Sequence, residues 1–495
     1  MRLEDIIQPL ILKQVIGDLG TEIKGIKIDS RQVESGDLFI ALRGLTVDGH
    51  RFIDKAISQG AAAVMVEEPI SANIPVVIVP DTRRAMAMAA ATFYRHPTKE
   101  LKVIGVTGTN GKTTTTNLIQ HILNDQDQKT GLIGTISMKV GNREYKVNNT
   151  TPEIVDLQRS FRWMLDEGCK YAAIEVSSHG LVMGRTRGCE FHIAVFTNLT
   201  QDHLDYHETM EKYRDAKGLL FNQLGTRYSD DPQFNQVAVL NADDPVSKHY
   251  ANTTSAQVIT YGIDQKADVR AENIRITATG TRFMLRSFGG DIEMNLQLVG
   301  KFNIYNALAA VSVALLEGIS LEKVKKSLES ISGVNGRFER VQAGQNFTVL
   351  VDYSHTPDSL ENALQTIREF VDGRVICVVG CGGDRDRSKR PVMAQIAEKY
   401  SDLTIITSDN PRTEPPEEII AEMVAGIKGV NLKRYETIVD RREAIHFAIH
   451  QAKANDVVLI AGKGHETYQE INGVRYDFDD RLVAKAAIES RRSEG

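Results

Sequence analysis

The sequence predicts an α/β protein of three domains. These are a small α/β N-terminal domain over residues 1–98, a central domain over 99–332 with a mainly parallel sheet and antiparallel edge strands, and a doubly wound C-terminal domain over 333–495. Three observations carry that prediction. The chain has 495 residues, which at roughly 150 residues per domain implies about three units. Hydrophobic residues make up 42% and charged residues 25% of it, the balance of an ordinary folded protein rather than of a chain too polar to bury a core. Strand-sized apolar runs alternate with helix-patterned stretches along its length, as in a sheet covered by helices.

In the first block, apolar runs at 38–42, 61–66 and 74–79 are separated by Gly, Asp and Pro signals and by helical stretches at 52–59 and 82–94. His96-Pro97 closes the second of these, because proline disfavours helix at the residue before it, and sets the first boundary. The second block opens with an apolar strand at 101–106 that runs straight into Thr107-Gly108-Thr109-Asn110-Gly111-Lys112-Thr113-Thr114. A helical pattern through Leu118, Ile119, Ile122 and Leu123 follows. Further apolar segments at 171–176, 193–197 and 237–240 leave room for helices between them and predict parallel strands. Residues 253–298 alternate polar and apolar, which predicts antiparallel edge strands, and 303–330 read as helices. Gly333-Val334-Asn335-Gly336-Arg337 suits a hinge. Beyond it, strands at 348–352, 375–380, 403–407 and 457–461 alternate with helices at 359–370 and 391–399, and 490–495 reads as a frayed tail.

Lys and Arg number 59 against 65 Asp and Glu, a net charge of −6, so no bulk positive field recommends nucleic acid or an anionic membrane as partner. Anion sites must be local. No apolar run approaches the ~18 residues of a membrane span, and Glu4 and Asp5 stand where a signal peptide needs cations. Cys169, Cys189, Cys377 and Cys381 lie outside Cys-x-x-Cys spacing and fit free thiols in a reducing compartment. The expectation is a cytoplasmic protein without membrane insertion.

The strongest local signal is the loop of Gly108, Thr109, Asn110, Gly111, Lys112, Thr113 and Thr114. Glycines there let backbone N–H groups close around phosphate oxygens, Lys112 reaches the β- and γ-phosphates, and the Thr113 hydroxyl is placed for Mg²⁺. ATP is the predicted ligand of this P-loop. The strict pattern wants glycine five residues before Gly111, where this chain has Val106, so the loop is a variant.

That loop resembles the ATP loop of the Mur ligase family, amide-forming enzymes of peptidoglycan precursor synthesis, and of their folylpolyglutamate synthase relatives. The resemblance spreads over nearly the whole chain in family order. Ser30-Arg31-Gln32-Val33, Gly36-Asp37-Leu38-Phe39 and Asp48-Gly49-His50 come first, then Asn149-Thr150-Thr151-Pro152 and Glu175-Val176-Ser177-Ser178-His179-Gly180. Thr200-Gln201-Asp202-His203, Ala216-Lys217, Asn303 with Asn306, Gly336-Arg337 and Asp352-Tyr353-Ser354-His355 follow.

The resemblance implies a UDP-sugar site at Ser30, Asn149, Thr150, Thr151, Ser177 and Arg185. It implies that Asn303, Arg337 and Asp352 join the P-loop around ATP, and that Lys112, Lys217, Glu175 and His203 carry catalysis. Thr113, Glu175, His203 and Lys217 would be the metal ligands. Taken alone Lys217 reads as a solvated surface lysine, and an ammonium would repel Mg²⁺. The family implies instead that it is carbamylated, which turns the cation into an anionic ligand. A zinc reading of His203 and His207 lacks a third ligand. For Arg337 the bland reading is an ion pair with Glu339 or Asp352.

Forming an amide from a carboxylate needs activation, and γ-phosphoryl transfer from ATP supplies it as an acyl phosphate that an amine attacks; the protein positions the reactants and neutralises charge. Within the family the acceptor is the discriminating feature. Arg385, the tetrapeptide Asp409-Asn410-Pro411-Arg412, and Gly462 with Glu466 all follow apolar strands of the third sheet. The tetrapeptide resembles that of members adding meso-diaminopimelate to the UDP-N-acetylmuramoyl dipeptide. Diaminopimelate differs from lysine by a carboxylate, and a guanidinium grips a carboxylate through paired hydrogen bonds. Arg412, helped by Arg385, would hold it, with Glu466 and the Gly462 backbone taking the distal ammonium. A folylpolyglutamate synthase is disfavoured by the Ser30 segment and this tetrapeptide. A nucleotide switch and an inactive scaffold stay open at this level.

Overall fold

The computed structural model describes residues 1–44, 47–141, 143–147, 149–231, 235–427 and 435–494. Three sheets organise it, one per expected block, and a two-stranded hairpin follows the third. In the first sheet the strands lie in the order Gln14–Ile16, Val76–Ile78, Ala63–Val66, Asp37–Ile40, Gly25–Lys27. The outermost strand Gln14–Ile16 is antiparallel and the rest are parallel. The two edge strands, three residues each, are too short to leave an apolar run in the sequence.

The central sheet has eleven strands. Its parallel heart runs Thr130–Ile133, Tyr171–Glu175, Lys102–Thr107, Ile193–Phe196, Val237–Asn241, Gln257–Gly262. Such strands are buried on both faces, so they read as unbroken apolar runs. The alternating segment is corrected in one respect. Gln257–Gly262 is parallel to its neighbour, and Val269–Thr277 begins parallel to it; antiparallel pairing starts with Gly280–Ser287 and Gly290–Leu296. Alternation reports one wet face and is silent on direction, and here Asp243 turns the chain by accepting the N–H groups of Ile263, Asp264 and Gln265.

The third sheet runs Glu339–Val341, Thr348–Asp352, Val457–Ala461, Val375–Val379, Leu403–Ile406, Tyr435–Thr437, parallel except for its first strand. The expected frayed tail is corrected: the helix Asp480–Glu494 continues through it, because Asp480 is buried against Arg441 and anchors the helix start. Gly495 lies outside the described residues.

The helix Thr82–Phe93 is N-capped by Asp81 and packs against the helix Ile154–Asp166. One apolar cluster runs from Leu3 and Leu38 through Ala89 and Ala90 to Phe161, Ile174 and Phe196, so the first sheet and one face of the central sheet share a core. The other face is covered by the helices Lys112–Asn124, Lys301–Leu316 and Leu321–Ser330. The third sheet has its own two cores. Its contacts with the centre include polar ones, Asn110 and Thr200 to Asp358 and Arg337 to Thr113.

Candidate active site

The P-loop joins the strand Lys102–Thr107 to the helix Lys112–Asn124. Gly108 and Gly111 have φ of 150° and 85°, and a Cβ at Gly108 would lie 1.9 Å from Thr197 Oγ1, so no larger residue fits. Val106 is the penultimate residue of that strand and is fully buried, which explains why the expected glycine is absent there. Lys112 folds onto its own loop, donating to the carbonyls of Gly108 at 2.9 Å and Thr109 at 2.7 Å. Burial pushes its ammonium below the ordinary lysine value. Asn303 and Asn306 are linked to each other, and Asn306 accepts the Thr115 hydroxyl on the P-loop helix.

Glu175 ends the neighbouring strand and is 1% exposed. Its carboxylate accepts the Thr113 hydroxyl at 3.0 Å and both the N–H and hydroxyl of Thr135 at 2.8 and 2.9 Å. Lys217 corrects its bland reading: it is 1% exposed, donates to Gly108 O at 2.8 Å and lies 4.4 Å from the Tyr213 ring centre. Burial, reinforced by the Lys112 charge, holds it well below the ordinary lysine value. His203 stands beside Asp202 and packs edge-on to His179, and burial lowers it to about 4, so it is a neutral imidazole at pH 7. His207 instead engages Ser178 Oγ at 2.9 Å. Among the described residues no three His, Cys, Asp or Glu side chains converge as a metal site, against the zinc reading.

Thr150, Thr151, Ser177 and Arg185 form one network. Thr151 Oγ1 accepts the Ser177 N–H and lies 3.1 Å from its hydroxyl, Arg185 donates to Thr151 O at 3.0 Å and to Glu153, and Thr150 lies 3.1 Å from Thr135 Oγ1. Asn149 is exposed beside it. Ser30 is buried in a 3₁₀ turn of the first domain, and none of these hydrogen bonds reaches it.

Arg337 does not pair with Glu339 or Asp352. It crosses to the central domain, where Nη2 donates to Thr113 Oγ1 at 2.9 Å, while Glu339 pairs with Arg481. Asp352 accepts the Phe338 N–H at 2.7 Å and the Ser354 hydroxyl, and burial raises its carboxyl. The carboxyl ends of the third sheet open onto a cleft of about 860 Å³, the expected ligand position of a doubly wound sheet. Arg385, Asp409, Asn410, Arg412, Gly462 and Glu466 line it on one side, His203 and His179 on the other. Pro411 does not line it; its carbonyl would be 1.9 Å from a Cβ on Gly383, so it fixes the turn. Arg412 Nη1 donates to Gly383 O at 2.7 Å, and Asn410 Nδ2 to Glu466 Oε2 at 2.8 Å. Beneath them Arg441, fully buried with Asp480, donates to Ala461 O at 3.0 Å and Ser408 O at 3.4 Å, holding the residues just before Gly462 and Asp409.

Sequence reasoning missed Thr135 and Asp358. Thr135 follows the strand Thr130–Ile133, which the strand Tyr171–Glu175 separates from the P-loop strand, and a glycine before it was the available signal. Asp358 accepts Asn110 Nδ2 at 2.6 Å and the Thr200 hydroxyl at 3.0 Å; only the meeting of two domains gives it a role.

The models of the Mur ligase middle domain, the glutamate ligase domain and the Mur ligase family catalytic domain match residues 106–314, 336–464 and 22–94. A UDP-N-acetylmuramoyl-L-alanyl-D-glutamate–2,6-diaminopimelate ligase of Geobacillus kaustophilus is 55% identical over 95% of this chain and 96% of its own. That of Halalkalibacterium halodurans is 52% identical over 99% of both. A solved structure of an enzyme of the same name matches with a TM-score of 0.71 at 36% identity, covering 99% of each chain. The MurF ligase of Thermotoga maritima in complex with ADP, 20% identical with a TM-score of 0.65 over 97% of this chain and 99% of its own, shares the fold. With family models matched over most of its length and relatives more than half identical along nearly the whole of it, the chain belongs to the Mur ligase family.

Proposed function

We propose that this protein is an ATP-dependent ligase. It adds meso-diaminopimelate to the γ-carboxylate of the D-glutamate of UDP-N-acetylmuramoyl-L-alanyl-D-glutamate, in cytoplasmic peptidoglycan precursor synthesis. The observation that carries the reading is the single cleft in which Arg412 and Glu466 face His203 and the nucleotide-loop side of the central domain. Residues 1–98 bind the uridine nucleotide, 99–332 ATP and 333–495 the amino acid. Four free, buried cysteines support a reducing compartment.

The γ-carboxylate attacks the γ-phosphorus of ATP, ADP leaves, and the acceptor amine displaces phosphate from the acyl phosphate. Lys112 and Arg337 bring positive charge to the phosphates, and domain contacts through Arg337 and Asp358 keep water from the acyl phosphate. The donor set suits Mg²⁺: the Thr113 hydroxyl, the Glu175 carboxylate and a neutral His203 are oxygen and imidazole donors. Bound there, Mg²⁺ would neutralise charge building on the phosphates. Among the described residues Lys217 has no carboxylate within ion-pair distance, and its lowered basicity favours carbamylation, in which Nζ, once it has given up a proton, adds CO₂ and releases a second proton.

The assay uses the protein, ATP, Mg²⁺ and the UDP-N-acetylmuramoyl dipeptide, with meso-diaminopimelate, L-lysine or no amino acid. ADP release dependent on diaminopimelate is expected. Release without acceptor favours a switch, equal release with lysine removes the acceptor assignment, and none at all favours a scaffold.

A further inference from the structure

At the acceptor end of the cleft one buried charge has no part in the scheme above. Lys463 has a fully buried side chain. Its ammonium donates to Asn410 Oδ1 and Glu466 Oε2, each at 3.1 Å, and to the Tyr468 carbonyl. All three of its donors are used. Asn410 Oδ1 also accepts the Glu470 N–H at 2.9 Å, so its amide group has one orientation, with Nδ2 on the same Glu466 Oε2 at 2.8 Å. Two donors therefore converge on one oxygen of Glu466. Its other oxygen, Oε1, receives no hydrogen bond among the described residues, and Glu466 borders the cleft.

The cleft also holds the Asp409 carboxylate and the Arg385 and Arg412 guanidiniums, while Arg441 and Asp480 pair with each other beneath it. We propose that Lys463 is a positioning residue for the acceptor: it occupies Oε2 of Glu466 and fixes Asn410, so that Oε1 alone is presented to the distal ammonium of the amino acid. This rests on the ligase reading above.

Burial and Asp409 raise the Glu466 carboxyl, and Lys463 opposes them. The other groups around it are Arg441, which stays charged, Tyr353 and Tyr468, whose hydroxyls burial keeps neutral, and His465, lowered by burial to about 3 and so uncharged. Without Lys463 that opposition is gone and the Glu466 carboxyl titrates at higher pH.

The test is calorimetric titration of meso-diaminopimelate into the full chain held with the UDP-N-acetylmuramoyl dipeptide and a non-hydrolysable ATP analogue, from pH 5.5 to 8.5. For Lys463→Met the expected result is a Kd raised about tenfold at pH 7, the weakening on acidification moved up by about one pH unit, and analogue affinity within about twofold. For Lys463→Arg, which keeps charge but not fit, the Kd rises and the acid limb stays put. If Lys463→Met does not fold, Lys463→Arg decides: wild-type Kd in that variant overturns the proposal, as does an unmoved acid limb in Lys463→Met. If the wild-type protein binds no diaminopimelate, it is the ligase reading that fails.

Discussion

Arg412 has a φ of 53°, a left-handed conformation that costs a non-glycine residue about 1 kcal/mol or more. It is held there by backbone bonds to the hairpin, its N–H on Glu470 O and its carbonyl under the Asn472 N–H. Strain maintained at a cleft residue is consistent with a role in binding. Arg412→Ala is expected to raise KM for diaminopimelate by the equivalent of about 1–3 kcal/mol, roughly 5- to 150-fold, with KM for ATP nearly unchanged. Steady-state kinetics on both substrates check this, and equal rises would remove Arg412 from the acceptor site. Lys217→Ala is expected to lose at least about 100-fold in kcat and to regain part of it with added formate or acetate, since a small carboxylate can fill the carbamate's place. Retained activity would remove the carbamate. The sequence named both residues through motifs, but the burial that lowers the basicity of Lys217 comes from long-range packing of Tyr213 and the P-loop, which no local pattern encodes.

Among elements, the central strands carry the candidate site at their carboxyl ends and an ionic knot at their amino ends. Lys102 and Tyr171 start adjacent strands, His192 precedes a third, and all three meet Glu317, just past the helix Lys301–Leu316. The distances are 2.8, 2.7 and 2.6 Å. Burial would raise the Glu317 carboxyl, but the bonds from His192, Lys102 and Tyr171 outweigh it and hold it below the ordinary value. A depressed carboxyl stabilises the fold above its unfolded pKa, about 4.3, and that share is lost as pH falls through the folded value. Glu317→Gln is expected to cost about 3 kcal/mol at pH 7 and less below pH 4, read from denaturant unfolding at both. The parallel strands that carry this knot were legible because both their faces are buried. Short edge strands and the direction of Gln257–Gly262 were not, since neither leaves a distinct pattern of apolar residues.

At the scale of the molecule, the third sheet meets the centre through Asp358, Arg337 and a small apolar contact of Val299 and Phe302, while the first two sheets are fused by an extended common apolar core. Asp358→Ala removes the acceptor for Asn110 and Thr200. It is expected to enlarge the radius of gyration in solution scattering and to raise ADP release in the absence of diaminopimelate by several-fold, because an open cleft admits water. Unchanged scattering and coupling would assign Asp358 to local helix structure alone. The number of sheets and their order along the chain were readable from composition and motifs. The unequal joints between them were not, because they depend on which faces meet.

That fused core has a further consequence. If the first domain holds the nucleotide sugar and the central loop the ATP, as proposed, both ends of the substrate rest on bodies that share one core, and that core sets the span between them. On the ligase reading the protein measures its substrate: a peptide one residue too short leaves its carboxylate short of the ATP, and one residue too long carries it past. Selection of the dipeptide then follows from distance, with no side chain needed to inspect the residues in between.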